Sequence, residues 1–364
     1  MKHVVKYVLW GDGESPHLLK WARALRAEGG PALELWAASS RGFLPEFDAC
    51  VPAARRLTLN TQPAFEGGNV ALLRELPRFA RWLRGVRPDW IHAHYLSSHG
   101  TLAWLAQRLY RVPGRLVSSA WGSDILQAPE QSAVMRWLTR RVLAASTLAT
   151  SDSQHMAARM QVLGAGEVMV FPFGLEAMPA RAKAKDEHLF FANRGLEALY
   201  APERVLDVFA AIAGQWPDAQ LVVANEGALR PALREQAARL GLAHVIHFTG
   251  RLAAAAQAEW YDQAQWYLSL PTSDSVSVSV LEAMAHGCIP ILSDLPANRE
   301  LVQSGDNGLV LRDDDVAAVV RLQSLLDRAV PIADHNRAWV QEHALFGPSV
   351  QRFLARLHEL SGAR

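Results

Sequence analysis

Short apolar segments rich in β-branched and aromatic residues alternate along the chain with longer segments of helical periodicity. In the first half, the apolar segments predict strands at residues 4–10, 33–37, 90–93, 115–119, 147–150 and 168–171. Ser15 followed by Pro16 is the expected start of the first helix, because serine caps helix N-termini and proline fits the first turn. Alternation of this kind is typical of a parallel sheet covered by helices on both faces.

A stretch at residues 172–187 interrupts the alternation and is interpreted as an interdomain linker, since it contains Pro172, Gly174 and Pro179. Beyond it, strands are predicted at residues 189–192, 220–224, 245–248, 266–270, 289–293 and 308–311, and helices near 333–344 and 348–361. The sequence therefore predicts an α/β protein of two doubly wound, Rossmann-like domains, residues 1–173 and 174–345, facing each other across a cleft. Ligands of such sheets bind in loops beyond the carboxyl ends of the strands.

Composition and charge narrow the class of protein. The net charge of the 364 residues is +1, but residues 1–173 carry +7 and residues 174–364 carry −6. The basic half is expected to attract phosphate-bearing ligands or anionic lipid, and no nucleic-acid partner is expected. Cys50 and Cys288 provide neither a disulfide framework nor a zinc site. We expect a cytoplasmic protein, because no signal-peptide pattern and no apolar stretch of the ~20 residues that span a membrane is present.

The most informative segment runs from Pro271 to Pro290, with the sequence PTSDSVSVSVLEAMAHGCIP. A loop of small polar residues leads into a predicted helix that ends at Gly287, a residue suited to a left-handed C-cap. The free N–H groups and the dipole of such a helix N-terminus favour an anion such as a diphosphate. Asp274 lies beside this anion site and Glu282 about two turns farther along, and both carboxylates can accept hydrogen bonds from vicinal hydroxyls.

This segment resembles the signature of the retaining nucleotide-sugar glycosyltransferases of family 4, which have the GT-B fold. That signature is a glutamate, seven further residues and the pattern Glu-Ala-Met-Ala-x-Gly-x-Pro, of which this chain keeps Glu282-Ala-Met-Ala and Gly287, with Pro290 one residue beyond the place of the proline. It departs where Asp274 replaces the first glutamate and where Ser-Val-Ser replaces Gly-Phe-Gly at 275–277. The resemblance implies that Asp274 contacts hydroxyls of the donor sugar and that Glu282 binds the ribose. The implied diphosphate loop consists of Ser275, Val276, Ser277 and Val278.

The resemblance covers nearly the whole chain and implies further donor-binding residues. Arg194 stands at the family's diphosphate-binding arginine, and a guanidinium suits this role because it binds phosphate oxygens bidentately. The family's lysine, five residues later, is Leu199 here, and the adjacent Tyr200 offers a hydroxyl. Gly250 and Arg251 match the loop that holds the nucleotide base. The implied catalytic residues are Asp274, Arg194 and Glu282.

In the N-terminal half, the resemblance implies a site for the acceptor. Gly13 and His17 match the family's first strand-to-helix turn, and His94 ends a strand where family members often carry histidine. Trp121 and Asp124 belong to a strand-end segment that matches His-Gly-x-Asp, with Trp121 in place of the histidine. A buried structural histidine at His94 and a tryptophan packed in the cleft floor are equally compatible with these positions. The resemblance also implies that residues 346–364 form a helix packed back on the N-terminal domain.

The implied reaction is glycosyl transfer with retention of configuration, by front-face attack in which the leaving diphosphate takes the acceptor proton. Arg194 and the loop N–H groups would stabilise the negative charge that develops on the diphosphate. We expect no metal and no cofactor apart from the nucleotide-diphosphate sugar as co-substrate. His92 and His94 lack further ligands, and the aspartates at residues 313–315 are interpreted as the N-cap of a helix. A UDP-sugar carrying a hexose or N-acetylhexosamine is the expected donor, and the expected acceptor is a glycan or lipid-linked molecule of surface polysaccharide or glycoconjugate synthesis.

Residues 72–87 combine apolar and aromatic residues with arginines at helical spacing. They are interpreted as a core-packed helix with a solvated face, or as a helix that contacts an anionic membrane and places the enzyme on its inner face. Two other functions remain open. A non-catalytic nucleotide-sugar-binding partner of a glycosyltransferase is compatible with the departures at Trp121, Leu199 and Asp274. A sugar-nucleotide 2-epimerase of related fold is the other, although the Glu282-Ala-Met-Ala pattern argues against it.

Overall fold

The computed structural model describes residues 4–61, 70–181, 184–312 and 316–362. The aspartates at 313–315, interpreted above as a helix cap, lie outside these ranges. The chain divides into two compact units. Unit 1 comprises Met1–Phe171 together with Phe346–Arg364, and unit 2 comprises Pro172–Leu345.

Unit 1 contains a seven-stranded parallel sheet with the order β3-β2-β1-β4-β5-β6-β7. Strands β1 and β4 are neighbours from which the sheet grows in opposite directions, so the topological switch point lies between them. The strands are β1 (Val5–Gly13), β2 (Leu33–Phe43), β3 (Arg56–Thr58), β4 (Trp90–His94), β5 (Arg115–Ser119), β6 (Ser146–Ser151) and β7 (Val168–Val170).

Helices connect these strands and bury their apolar faces against the sheet. They are α1 (Pro16–Gly29), α2 (Val70–Arg74), α3 (Leu76–Val86), α4 (Thr101–Tyr110), α5 (Ser123–Leu126), α6 (Ala128–Gln131), α7 (Ala133–Ala145) and α8 (Gln154–Val162). Trp10 of β1 packs with Phe79 of α3, Leu102 of α4 and Val142 of α7 in one core, so these three helices are held together on the sheet.

Unit 2 repeats the topology with six parallel strands in the order β10-β9-β8-β11-β12-β13. Its switch point lies between β8 and β11. The strands are β8 (Asp186–Ala192), β9 (Gln220–Ala224), β10 (Ile246–Gly250), β11 (Ala264–Ser269), β12 (Ile289–Ser293) and β13 (Leu309–Leu311). The helices are α9 (Pro202–Gln215), α10 (Arg230–Arg239), α11 (Ala254–Gln263), α12 (Val278–Ala285), α13 (Pro296–Leu301), α14 (Leu322–Leu326) and α15 (Ala329–His343).

The last helix, α16 (Phe346–Gly362), belongs to unit 1 and packs on α1. The ring of the fully buried Trp21 meets the rings of Phe346 and Phe353 edge-on at 5.0 and 5.3 Å. Arg356 donates two hydrogen bonds to the carboxylate of Glu167, at 2.6 and 2.7 Å. Buried aromatic contacts and a bidentate ion pair therefore attach the end of the chain to its first domain.

All twelve predicted strands are present, but several boundaries differ. Strand β1 continues through the glycines that were predicted as a turn, because Gly13 still pairs with Phe43 after a bulge. Strand β8 begins at Asp186, inside the predicted linker. The sequence did not predict β3, a three-residue edge strand without burial alternation. The predicted cap of α1 is confirmed, since the Ser15 hydroxyl accepts the N–H of His17 at 3.3 Å.

Candidate functional site

The predicted donor residues of unit 2 lie at the switch point of its sheet. Arg194 follows β8, and the loop that begins at Pro271 follows β11, the neighbouring strand. Gly287 has a φ of +81°, as predicted for the residue that ends the signature helix α12. Parallel neighbours bring their carboxyl ends to the same edge, so two segments distant in sequence meet there.

The guanidinium of Arg194 is the centre of this region. Its Nη2 donates to Oδ2 of Asp274 at 2.6 Å, and its Nη1 donates to the hydroxyls of Ser277 and Ser279, the latter at 3.2 Å. The guanidinium carbon lies 4.5 Å from the centre of the Tyr200 ring. Tyr200 therefore meets Arg194 with its ring face, a cation–π contact, in addition to the hydroxyl that the sequence analysis considered.

Burial and charge act in opposite directions on this pair. Burial raises the pKa of Asp274, and the adjacent Arg194 pulls it down without restoring its usual value. For Arg194, burial acts to lower the pKa, but Asp274 and nearby tyrosines hold it above the usual range. The side chains retain only 18% and 23% of their surface exposed, so solvent screens their attraction less than that of a surface pair.

The loop from Asp274 to Ser277 is shaped by this pair. The Ser275 N–H donates to Oδ1 of Asp274 at 3.0 Å, and Ser275, Val276 and Ser277 are buried. Ser277 is the N-cap residue of α12, but its hydroxyl makes no capping bond. The hydroxyl instead bonds Arg194 and, at 2.8 Å, Ser279. The loop thus turns its polar side chains towards the guanidinium, and Val278 begins the helix.

Glu282 lies in the second turn of α12. Its Oε2 accepts hydrogen bonds from the Tyr261 hydroxyl at 3.2 Å and from Nε2 of Gln257 at 3.4 Å, both on α11. Tyr261 in turn accepts a hydrogen bond from Asn193, the residue before Arg194. Asn193, Gln257 and Tyr261 belong to no local motif and were not predicted, because only the tertiary fold brings them to Glu282.

Gly250 is the last residue of β10 and Arg251 follows it, farther along the line of strand ends that holds Arg194. The Gly250 carbonyl accepts the N–H of Asn225 at 2.7 Å, and its φ of +76° favours glycine. Arg251 is exposed. The structure therefore unites Arg194, Asp274 and Ser277 in one cluster, while Gly250 and Arg251 lie at the end of β10, the outermost strand of the sheet on that side.

In unit 1, Gly13 lies where two strands approach closely. Its N–H donates to the Ser39 hydroxyl at 2.8 Å, and a Cβ at this position would lie 2.5 Å from the Gly42 carbonyl oxygen. Only glycine fits this approach. Gly13 therefore shapes the end of β1 ahead of α1, on which His17 is exposed.

His17, His94 and Trp121 meet although they come from helix α1, the end of strand β4 and the loop after β5. The rings of His17 and Trp121 have centroids 4.8 Å apart, and the indole N–H of Trp121 donates to Nδ1 of His94 at 3.2 Å. His94 is buried, and its Nε2 has no hydrogen-bond partner among the described residues. Burial, and then His92, His99 and His17, hold the pKa of His94 well below its usual value. His94 is therefore a neutral imidazole whose Nε2 carries the proton.

Asp124 is fully buried and ties two loops together. Its Oδ1 accepts the Trp121 N–H at 2.9 Å and its Oδ2 accepts the Leu96 N–H at 2.8 Å. Burial raises its pKa to about 6, despite these hydrogen bonds. The predicted acceptor residue Asp124 is thus placed below the surface, where it positions Trp121 and the segment after His94.

The ring of His92, the other histidine of β4, is held by hydrogen bonds on both sides. Both ring nitrogens of His92 are used, by the Tyr7 hydroxyl at 2.7 Å and the Ser119 hydroxyl at 2.6 Å. Burial lowers the pKa of His92 to about 3. Across the described part of the chain, no group of three or more His, Cys, Asp or Glu side chains is arranged to hold a metal ion.

Helix α3 contains most of the predicted membrane-contact segment. Phe79 and Leu83 are buried in the core, whereas the arginines of the segment are exposed: Arg74, Arg78, Arg81, Arg84 and Arg87. The helix is therefore packed on the sheet and presents a cationic outer face. No helix in the described ranges has the length and apolarity that crossing a membrane requires.

Two protein families match the chain. The family described as glycosyl transferase 4-like domain matches residues 12–174, and the family described as glycosyl transferases group 1 matches residues 187–327. A phosphatidyl-myo-inositol mannosyltransferase of Mycobacterium tuberculosis (strain H37Rv) is 26% identical over 310 residues, which cover 81% of this chain and 78% of that protein. An alpha-monoglucosyldiacylglycerol synthase of Streptococcus pneumoniae is 28% identical over 158 residues, 43% of this chain and only 34% of that protein.

The fold has solved counterparts. HepE of Anabaena, solved in complex with UDP and glucose, matches with a TM-score of 0.75 over 98% of this chain and 99% of that chain, at 14% identity. At that identity, the likeness concerns the fold alone. Each half of the chain thus matches one glycosyltransferase domain, and the two sheets match the fold of solved glycosyltransferases. The chain belongs to glycosyltransferase family 4, whose members combine these two domains in the GT-B fold.

Proposed function

We propose that the protein is a retaining hexosyltransferase that moves a hexose or N-acetylhexosamine from a UDP-sugar to a glycan or lipid-linked acceptor. In this proposal unit 2 holds the donor and unit 1 holds the acceptor. The observation that carries it is the cluster at the switch point of unit 2, where the guanidinium of Arg194 meets Asp274 and two serine hydroxyls. A cation at this position suits a diphosphate, and the carboxylate of Glu282 suits the vicinal hydroxyls of a ribose.

Arg194 supplies the electrostatic part of catalysis in this proposal. The bond between the sugar and the diphosphate breaks, negative charge grows on the leaving oxygen, and the guanidinium stabilises it without a metal ion. The contacts to Asp274, Ser279 and the Tyr200 ring orient the guanidinium in advance. The acceptor attacks from the same face, and its proton passes to the leaving diphosphate.

The acceptor role of unit 1 is supported by a pair of accessible rings and by local backbone strain. His17 is exposed and Trp121 partly exposed, and their rings are in contact. Tyr95, directly after His94, has a φ of +75°, which is costly for a bulky residue and is typical of functional sites. Aromatic side chains with a few oriented polar groups are the usual lining of small-molecule sites.

Two observations support a lipid-linked acceptor. The names of both curated relatives cited above contain a lipid, phosphatidyl-myo-inositol or diacylglycerol. Helix α3, which carries the exposed arginines, contacts α4, and α4 contacts α7, which carries the 48%-exposed Trp137. Exposed arginines on α3 and an exposed tryptophan on α7 suit an anionic bilayer surface, so we place the enzyme peripherally on the inner face of the cell membrane.

Calorimetric titration with UDP-, GDP- and ADP-sugars, with and without divalent metal, tests the donor site. We expect metal-independent binding of a UDP-sugar that is lost in Arg194→Ala and Glu282→Ala and retained in Arg239→Ala, an exposed arginine of α10. A folded protein that binds none of the donors would contradict the proposed donor site.

A further inference from the structure

Asn193 joins the residue that holds the diphosphate to the residue that holds the ribose. It directly precedes Arg194 at the end of β8 and is 7% exposed. Its Nδ2 donates to the Tyr261 hydroxyl at 2.8 Å, and its Oδ1 accepts the Tyr267 hydroxyl at 2.7 Å. The amide is therefore fixed in one orientation by two buried tyrosines, one on α11 and one on β11.

The donor and the acceptor of each hydrogen bond in this network can be assigned. Burial raises the pKa of Tyr261 far above its usual value and that of Tyr267 to about 12, so both phenols remain protonated. The oxygen of Tyr261 accepts from Asn193, which leaves its single proton for two acceptors at 3.2 Å, the Ser279 carbonyl and Oε2 of Glu282. Both acceptors lie on α12, so the phenol holds the first two turns of that helix.

We infer that Tyr261, held by Asn193, is a positioning residue for Glu282 in nucleotide binding. This inference rests on the proposed donor site and adds to it. Tyr261 and Gln257 both approach Oε2 from α11, which sets the orientation of the carboxylate towards the ribose hydroxyls. Because Asn193 and Arg194 are consecutive, the same strand end sets the places of the ribose-binding and diphosphate-binding groups.

The mutational test compares ligands that differ only in the ribose. UDP, 2′-deoxy-UDP and 3′-deoxy-UDP are titrated by calorimetry into the wild type and Tyr261→Phe. The expected loss for UDP is about 5-fold, which corresponds to about 1 kcal/mol, the net value of one ordinary hydrogen bond. For the deoxy ligand that has lost the Glu282 contact, the same substitution is expected to change affinity less than 2-fold, roughly within experimental scatter.

A matched control is available in the other unit. Tyr7 is also a buried tyrosine with one strong hydrogen bond, at 2.7 Å to His92, so Tyr7→Phe removes a comparable group far along the chain. It is expected to leave all three affinities unchanged. If Tyr261→Phe fails to fold, Gln257→Leu removes the second donor to Oε2 from a half-buried position and serves in the same comparison.

The outcomes separate this inference from the proposed function. Wild type that binds none of the three ligands overturns both. Wild type that binds UDP and the deoxy ligands equally removes the ribose role of Glu282, and the inference with it. If the wild type discriminates but Tyr261→Phe weakens all three ligands equally, Tyr261 is merely structural and the inference fails. Selective loss of the ribose contribution supports it.

Discussion

Arg194 and Asp274 form a partly desolvated ion pair where the diphosphate of the donor is proposed to bind. With Oδ2 of Asp274 2.6 Å from Nη2 of Arg194, the carboxylate offsets much of the positive charge that a diphosphate would meet. The substitution Asp274→Asn keeps the size and one acceptor oxygen but removes the negative charge. We expect the variant to bind UDP more tightly than the wild type, and Arg194→Ala to bind it more weakly.

The magnitude follows from the geometry of the pair. A phosphate bonded to the guanidinium would lie roughly 6 Å from the carboxylate, and two unit charges at that separation repel by about 3 kcal/mol at an effective dielectric constant of about 20. Weaker orientation of Arg194 in the variant costs about 1 kcal/mol, the net value of an ordinary hydrogen bond. The remaining ~1–2 kcal/mol corresponds to about 5- to 30-fold tighter binding.

Calorimetry with UDP at low and high salt measures this effect, which should shrink as salt screens the charges. Asp218→Asn is the matched control, since Asp218 is an exposed acid of the same unit that pairs with His188. Unchanged or weaker UDP binding by Asp274→Asn would refute the electrostatic reasoning. A variant that binds UDP like the wild type but binds the UDP-sugar more weakly would instead identify Asp274 as a ligand of the sugar.

Three further predictions concern stability and surface charge. Asp124→Asn should reduce the free energy of unfolding by about 2 kcal/mol, because no amide orientation accepts both the Trp121 and the Leu96 N–H. Burial raises the pKa of Asp124 to about 6 from 3.8, so the unfolded carboxyl ionises first. As the pH rises from 3.8 to about 6, ionisation of this group therefore lowers the free energy of unfolding of the wild type by up to about 3 kcal/mol. Urea denaturation measures the free energy of unfolding of both proteins across this pH range. The difference between wild type and Asp124→Asn should be largest near the lower pH, and a difference that does not change with pH would contradict the reasoning. Gly174→Ala should prevent stable folding, because its Cβ would lie 1.7 Å from the Ala344 carbonyl oxygen, whereas Gly214→Ala, with open space, should raise the melting temperature slightly. Arg81→Glu with Arg84→Glu should abolish co-sedimentation with anionic vesicles, while Arg234→Glu with Arg239→Glu in unit 2 should not, and equal effects would argue against a membrane face on α3.

The fold was predictable because its signals are local. Each buried parallel strand is a short apolar run, and a capping serine and a positive-φ glycine mark helix ends that the structure confirms at Ser15 and Gly287. Strand β3 was not predicted, because its three half-buried residues at the sheet edge show no alternation of buried and exposed positions. The extension of β1 into Gly13 was missed because glycines indicate a turn, whereas here they permit close approach to the next strand.

The candidate site was predictable only where a motif names a residue. Arg194, Asp274 and Glu282 stand in segments with a recognisable pattern, and the structure brings the first two into contact. Asn193 and Tyr261 make contacts between β8, α11 and α12, segments that are distant in sequence, so no local pattern predicts them. For Asp124, the motif identifies the residue but not its role. It stands in a motif, but its burial and its backbone partners become visible only in the fold.

The departures from the family signature are related, because they surround one guanidinium. Tyr200, beside the Leu199 that replaces a lysine, places its ring against Arg194. Asp274, shorter than the glutamate it replaces, pairs with the same side chain, and the hydroxyl of Ser277, in place of glycine, accepts a hydrogen bond from it. A site with one cation instead of two must hold that cation in the correct orientation, and these three side chains do so. Taken separately, each departure would suggest a weakened donor site. Taken together, they surround the single arginine on which the proposed donor site depends.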